Sequence, residues 1–241
     1  MTYCVGLLLN AGMVLLSDTR TNAGLDNIAI YRKMFTFEEP GERVITIMTA
    51  GSLSVSQTTL SRLSDAIRSP EASAATSIMM APTMLSVAEI VGNTLAAVRA
   101  DVEEKLTTAG QSAAASMIVA GQRRGGTPRM FLIYPEGNFI EATEDTPFLQ
   151  IGEHKYGKPI LDRVVRMDTS LEDAQKAVLL SMDSTLRSNL SVGMPLDLQV
   201  IGRDDCRVTM SRRIEARDPD FSAMSEAWSN ALRDAFQQII I

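Results

Sequence analysis

The stretch TYCVGLLLNAGMVLLSD, residues 2–18, decides the fold. It contains two nearly continuous apolar runs of strand length, Tyr3–Leu9 and Met13–Asp18, separated by the turn signal Asn10–Gly12. Runs that lack polar alternation suit strands buried on both faces, and the Asn and Gly favour a tight turn. The stretch therefore predicts a hairpin in the interior of a layered structure.

Outward from this hairpin, the pattern alternates between groups of strands and groups of helices. Thr19–Asn27 is polar and predicts a loop. Further strands are predicted at Met34–Glu38, Arg43–Ala50, Ala115–Ala120, Met130–Tyr134, Phe139–Ala142, Phe148–Ile151, Leu196–Ile201 and Arg207–Arg213. Helices are predicted at Leu53–Ile67, Leu85–Thr107, Lys158–Met167, Leu171–Leu186 and Ser222–Gln238.

This order predicts the fold class. The strands follow one another through turns instead of alternating singly with helices, which favours antiparallel sheets with helices packed outside. Two sheets that are apolar on both faces belong in the middle of four layers. We therefore expect an α+β fold, a four-layer αββα sandwich. Because the chain shows no linker, composition break or internal repeat, residues 1–241 are expected to form a single domain.

Composition excludes several classes of function. Hydrophobic residues make up 45% and charged residues 22%, which is close to the globular average and argues against disorder. The formal net charge is −6 and aromatic residues are only 5%, so neither a basic stripe nor a base-stacking surface for nucleic acid is expected. No run of about 20 apolar residues could span a bilayer, and no signal peptide is visible.

Cysteine and histidine usage narrows the chemistry further. Cys4 and Cys206 are the only cysteines, which suits a reducing cytoplasm and not a disulfide framework. The single histidine, His154, cannot form a multi-histidine zinc site, and a Ser-His-Asp triad is open only with His154 as its base. Neither a metal cluster nor a phosphate-binding loop is present, so no metal and no cofactor are expected.

Thr2 is a candidate nucleophile that needs no histidine. If an aminopeptidase removes Met1, Thr2 carries a hydroxyl and a free α-amine, whose reference pKa of about 7.7–8.0 lets it serve as a base near neutral pH. The hairpin places Thr2 and Asp18 near the same open end, and Lys33 precedes the third strand. The simpler reading is also open: Thr follows Met by chance, and Asp18 and Lys33 are ordinary surface residues.

The same positions carry a family resemblance. Thr2, the stretch Ser17–Arg20, Lys33 and the stretch Thr49–Gly51 resemble, in order and at near-family spacing, the motifs of proteasome β-type subunits. Three stretches are similar to the bacterial Anbu (ancestral β-subunit) branch, which is related to HslV: Met1–Gly6, Ile151–Arg163 and Ser181–Asn189. The resemblance covers essentially the whole chain.

This resemblance implies a role for each matched residue. Thr2 is the nucleophile of an N-terminal-nucleophile (Ntn) hydrolase, a threonine peptidase, and Asp18 and Lys33 tune it. The Gly51 backbone N–H supplies the oxyanion hole, and Ser191 supports the site. An extended peptide lies between Gly51 and the segment after Asp18, with Thr21, Asn22 and Gly51 as the substrate-binding residues.

The resemblance also implies a four-layer αββα sandwich and a homo-oligomer, either a ring or an open helical assembly with inward active sites. The implied substrate is a peptide or an unfolded protein, in the cytoplasm, and an ATP-dependent unfoldase is a conceivable partner that the sequence does not identify. Three departures weaken the implied activity: Gly152-Glu153-His154 replaces the family's Gly-Ser-Gly, Ser188 stands where an acid is usual, and Asn22 stands where the family has Thr. A narrow small-amide hydrolase and a non-enzymatic assembly scaffold are therefore the alternatives.

Overall fold

The computed structural model describes residues 2–22 and 28–240; Met1, residues 23–27 and Ile241 lie outside them. The strands are β1 (Tyr3–Leu9), β2 (Gly12–Asp18), β3 (Arg20–Asn22), β4 (Ile28–Ile30), β5 (Met34–Glu39), β6 (Arg43–Gly51), β7 (Ala115–Arg123), β8 (Arg129–Ile133), β9 (Phe139–Glu141), β10 (Phe148–Gly152), β11 (Leu196–Gly202) and β12 (Met210–Ile214). The helices are α1 (Leu53–Arg68), α2 (Met84–Thr108), α3 (Lys158–Val164), α4 (Leu171–Ser188) and α5 (Pro219–Gln238).

Two five-stranded antiparallel sheets form the two inner layers. The first sheet has the order β10-β1-β2-β11-β12, and the second has the order β5-β6-β7-β8-β9. Three apolar cores separate the layers: one between α1–α2 and the second sheet, one between the two sheets, and one between the first sheet and α3–α4. The α+β prediction of a four-layer αββα sandwich is confirmed.

The predicted hairpin is the central pair of the first sheet. β1 and β2 pair in antiparallel fashion, with Cys4 opposite Ser17 at one end and Leu9 opposite Gly12 at the other. Tyr3 and Asp18 are therefore the next residues that face each other in this register. All of β2 is buried, and all of β1 except Leu8 is buried. The near absence of polar residues in these strands follows from this position, since both faces contact apolar layers.

The helices begin where their capping residues predict. Ser170 accepts a hydrogen bond from the Asp173 backbone N–H and is the N-cap that starts α4. Thr83 caps α2 in the same way through the Ser86 N–H. Four of the ten predicted helix ends coincide with the observed ones and four more lie within the one or two residues over which helix ends are generally ambiguous; the end of α3 and the start of α5 each differ by three residues.

Two predictions near turns were wrong. Arg20–Asn22 was predicted as loop but forms β3, which pairs with β4 in a small separate sheet; the remainder of that stretch, residues 23–27, lies outside the described residues. Such a short polar strand has no apolar pattern, because only its pairing with a neighbour defines it. The last strand starts at Met210 and not at Arg207, because positive φ angles at Asp204 (67°) and Cys206 (46°) prolong the turn.

The chain ends on an outer surface. Helix α5 has no fully buried residue, and Ile239 and Ile240 beyond it are exposed and do not fold back onto the described part of the molecule. Among the described residues, no helix combines the length and apolarity that a membrane crossing requires.

Candidate active site

Thr2 lies immediately before β1, and a hydrogen bond of the backbone holds it in place. Its side chain is buried, and its carbonyl oxygen accepts a hydrogen bond of 2.7 Å from the Glu153 N–H. Gly152 has a φ of 82°, and a Cβ there would clash with the Thr2 carbonyl oxygen. Only glycine allows this approach. The departure Gly152-Glu153-His154 therefore keeps its supporting function through the backbone, and the Glu153 and His154 side chains are not required for it.

Asp18 is a fully buried carboxylate with four hydrogen-bond donors. Its Oδ1 accepts from the Tyr3 N–H at 3.1 Å and from Lys33 Nζ at 2.8 Å. Its Oδ2 accepts from the backbone N–H groups of Arg20 and Gly193, both at 3.2 Å. Burial raises the pKa of Asp18, whereas the Lys33 ammonium and the N–H donors lower it. The net shift of the Asp18 pKa is upward because burial dominates, and the four donors, one of them an ammonium, oppose that shift by favouring the ionised carboxylate.

Lys33 lies just before β5 and is 4% exposed. Besides Asp18, its Nζ donates to the Arg20 carbonyl oxygen at 2.5 Å. The Lys33 carbonyl oxygen in turn accepts from the Thr49 N–H, which ties the start of β5 to β6. The two contacts of the ammonium group and the one of the backbone carbonyl fix Lys33 at the junction of the two sheets.

Gly51 ends β6 at the same junction. Its φ is 98°, and a Cβ there would clash with the Ala114 carbonyl oxygen. The Thr49 N–H points toward β5, where it binds Lys33, whereas the Ser52 N–H binds Ala114 on the β7 side. N–H groups two residues apart in a strand point the same way, so the Gly51 N–H faces the β5 side, beyond Met34, the first residue of that strand.

These residues surround one cavity of about 240 Å³. It is lined by Thr2, Thr21, Lys33, Thr49, Ala50, Gly51, Leu53 and Ser56. The structure thus brings together Thr2, Lys33 and Gly51, which are far apart in the sequence, and Asp18 lies directly behind Lys33. A hydroxyl, a cation and a backbone N–H at one cavity are groups that acyl-transfer chemistry uses.

The remaining predicted site residues fall in different places. Thr21 lines the cavity, and Asn22 follows it in β3, but the Asn22 side chain lies outside the described set. Ser191 is half-buried and does not line the cavity; its proposed supporting role stays a prediction. His154 is exposed, and its Nδ1 lies 3.1 Å from the Gly152 carbonyl oxygen, outside the cavity. The geometry therefore gives no support to a triad based on His154.

Sequence reasoning missed one backbone contributor to the site, Gly193, and the Arg20 side-chain contact beside it. The Gly193 N–H binds Asp18, and a Cβ at Gly193 would clash with the Arg20 guanidinium, which packs there and donates to the Leu190 carbonyl oxygen. Arg20 thereby links the segment around residue 190 to the end of β2. The glycine in this segment was a visible signal, but nothing in the sequence tied it to Asp18.

Comparison with known proteins agrees with this architecture. Residues 2–201 match the proteasome subunit family. The chain belongs to this family. The proteasome-family match spans both inner sheets except for β12, together with α1–α4, and it includes every residue around the cavity.

Solved structures place the chain within the Anbu branch of the proteasome family. It is 48% identical to an Anbu (Gly-1) mutant from Hyphomicrobium sp. strain MC1, with 100% of this chain and 99% of that chain covered and a TM-score of 0.93. It is 41% identical to Anbu (ancestral beta-subunit) from Yersinia bercovieri, with 100% and 98% covered and a TM-score of 0.92.

A third relative was solved as an assembly. The chain is 45% identical to the subunit in a helical assembly of the Anbu complex from Pseudomonas aeruginosa, with 100% of this chain and 98% of that chain covered and a TM-score of 0.92. A comparison with curated proteins gave no match.

Proposed function

We propose that this protein is a threonine-type Ntn hydrolase that cleaves peptide (amide) bonds inside a self-assembled homo-oligomer, with Thr2 as the nucleophile once Met1 is removed. The observation that carries the proposal is that Thr2 shares its cavity with Lys33 and Gly51, while Asp18 binds both Lys33 and the amide that follows Thr2. Proteasome-family membership and the Anbu relatives support it.

The nucleophile and the base both belong to Thr2. The free α-amine takes the hydroxyl proton, directly or through one water, as the oxygen attacks the substrate carbonyl carbon. The Lys33 ammonium favours the developing alkoxide and keeps the nearby amine neutral, because a neighbouring cation lowers an amine pKa. Asp18 holds that ammonium in place at 2.8 Å.

The negative charge of the tetrahedral intermediate falls on the carbonyl oxygen, which the Gly51 N–H stabilises. Collapse of the intermediate breaks the C–N bond, and the α-ammonium returns its proton to the leaving amine. An ester between Thr2 and the acyl group remains, and a water activated by the same α-amine hydrolyses it. Removal of one oxyanion donor typically costs about 10²–10³-fold in kcat.

The cavity suits an extended substrate segment. β3, which carries Thr21, pairs only with β4 within the described residues, so its other edge remains available. The β5-side edge of β6 is open at Gly51, beyond the start of β5 at Met34. A peptide strand between these two edges gains backbone hydrogen bonds on both sides, with Thr21, Asn22 and Gly51 as its contacts.

Intact-mass measurement with a β-lactone probe tests the proposed chemistry. We expect purified protein to lack one methionine and to gain the mass of one lactone per chain, with the adduct mapped to Thr2 by peptide sequencing. An unlabelled protein whose Met1 has been removed would contradict the hydrolase proposal and favour the scaffold. Hydrolysis of casein-like chains compared with small amides then separates a peptidase from a narrow amidohydrolase.

The end of α5 supports the proposed homo-oligomer. Trp228, Leu232 and Phe236 are spaced four residues apart and form one stripe along the helix face, and Ile240 follows just beyond the helix end. The first part is half-buried beside α4, while Phe236 and Ile240 are 77% and 95% exposed. An apolar stripe that continues beyond the edge of its own subunit needs a further surface to cover it. A second copy of the chain is the proposed cover.

The substitution Phe236→Glu is expected to shift the protein toward smaller species, because a carboxylate in an apolar contact must be desolvated. Mass photometry and light scattering at matched concentrations give the size distribution. The control is Met80→Glu, which places the same charge at a 51% exposed apolar residue in the segment between α1 and α2. If both variants assemble like the wild type, the α5 end is not an assembly contact.

The predicted substrates are peptides or unfolded proteins, and the predicted location is the cytoplasm. An ATP-dependent unfoldase remains a conceivable partner, without a feature of the described surface that identifies it.

A further inference from the structure

Tyr3 follows Thr2 in β1 and is fully buried. Successive side chains of a strand point to opposite faces. The Tyr3 ring accordingly joins the core between the first sheet and the α3–α4 layer, whereas Cys4 joins the core between the sheets. The side chain of Tyr3 is thus directed away from the cavity that Thr2 lines.

The Tyr3 hydroxyl is bound from two different elements. It lies 2.6 Å from Ser181 Oγ on α4, and it accepts a hydrogen bond of 2.6 Å from Gln150 Nε2 on β10. A Cβ at Gly157 would lie 2.7 Å from the Tyr3 hydroxyl oxygen and would clash with Ser181 Oγ. The N-terminal end of α3 therefore closes the site with a glycine. Burial raises the pKa of Tyr3 to about 12, so the hydroxyl keeps its proton.

The backbone of Tyr3 connects this network to the reacting groups. The Tyr3 N–H donates to Asp18 Oδ1, the same oxygen that binds Lys33 Nζ. The peptide unit that contains this N–H also contains the Thr2 carbonyl, which the Glu153 N–H holds from the other side. One peptide plane therefore fixes the nucleophile relative to the Asp18–Lys33 pair.

We propose that Tyr3 is a positioning residue, whose hydroxyl network with Ser181 and Gln150 sets the placement of Thr2 against Asp18 and Lys33. This inference rests on the proposed hydrolase function. Terminal residues fray unless they are tied down, and a displacement of about 1 Å in a catalytic group can cost about 10²-fold in rate. A hydrophobic side chain of equal size would fill the same space without specifying the position.

The substitution Tyr3→Phe tests the network, since it removes one oxygen and keeps the ring. With the β-lactone probe, we expect the maximal inactivation rate at Thr2 to fall about tenfold or more, while the probe concentration for half-maximal rate changes less than twofold. Ser181→Ala should act in the same direction. The double variant should be no slower than Tyr3→Phe, because both substitutions break one network.

The matched control is Thr94→Val, which removes a hydroxyl whose hydrogen bond stays within α2, to the Ile90 carbonyl oxygen. It should leave both labelling constants unchanged. Labelling of Tyr3→Phe at the wild-type rate would overturn the inference while leaving the hydrolase proposal intact.

Amide hydrogen exchange provides a readout that does not depend on catalysis. Peptides from β1 should exchange faster in Tyr3→Phe than in the wild type, and Thr94→Val should show no such change. If the wild type fails to react with the lactone, the hydrolase proposal fails; unchanged exchange in Tyr3→Phe would separately overturn the positioning role.

Discussion

Replacing Thr2 by alanine is expected to abolish lactone labelling and to lower amide hydrolysis by roughly 10⁴-fold or more, the size of effect seen when a nucleophile is removed from an acyl-transfer site. The reason is that residue 2 is the one residue of the cavity that carries both a hydroxyl and the free α-amine. The α-amine, the Asp18–Lys33 pair and the Gly51 edge all remain in this variant. The free energy of unfolding should change by less than about 1 kcal/mol, because only a small side chain is lost.

Two companion variants separate the roles of the hydroxyl and the amine. Thr2→Ser keeps both groups, and we expect it to retain labelling. A chain extended at its N-terminus by one residue that is not removed keeps the hydroxyl but converts the amine into an amide, so it should lose labelling as Thr2→Ala does. If the extended chain reacts like the wild type, a different group acts as the base.

The fold was predictable where burial imposes a strong sequence pattern. β1 and β2 are buried on both faces, so the apolar pattern of residues 2–18 is almost sufficient by itself to locate both strands in the sequence. The pairing of β2 with β11 and of β1 with β10 was not readable, because the chain separates these partners widely. Non-local pairing depends on the packing of the complete molecule, which no local period encodes.

The candidate site was predictable in part, for a related reason. Thr2 and Asp18 fall together because a tight hairpin fixes their register, and Lys33 and Gly51 were placed by family resemblance. Gly193 binds Asp18 only through its backbone N–H, which leaves no side-chain signal in the sequence. Tyr3 sits within an apolar run and has the pattern of an ordinary core residue; its hydroxyl partners become visible only when α4 and β10 are in place.

The substitution Lys33→Met is expected to destabilise the fold by about 3–5 kcal/mol, because it leaves the Asp18 charge buried without its partner. The side chains of Lys33 and Asp18 are 5% and 0% exposed, so water cannot replace the ammonium without a rearrangement. The three backbone N–H donors to Asp18 remain, which favours the lower end of that range. Urea unfolding at pH 7 measures the loss.

The double variant Asp18→Asn/Lys33→Met removes both charges and should recover part of the stability lost in Lys33→Met, whereas activity should be absent in both. This divergence separates the two roles of the pair: stability requires only that neither charge be left alone, but catalysis requires the ammonium itself. The single variant Asp18→Asn completes the comparison. If the loss of stability in the double variant equals the sum of the losses in Asp18→Asn and Lys33→Met, the pair does not act as one unit.

The pH dependence of Lys33→Met gives an independent check on the same charge. Burial raises the Asp18 pKa, and this variant lacks the ammonium that lowers it. The folded state then binds a proton at Asp18 more readily than the unfolded chain, whose reference pKa is about 3.9. Between these two pKa values, the stability of Lys33→Met relative to the double variant should rise as pH falls. A flat difference across that range would mean that the folded and unfolded chains bind a proton at Asp18 equally well, so burial would not raise the Asp18 pKa in this variant.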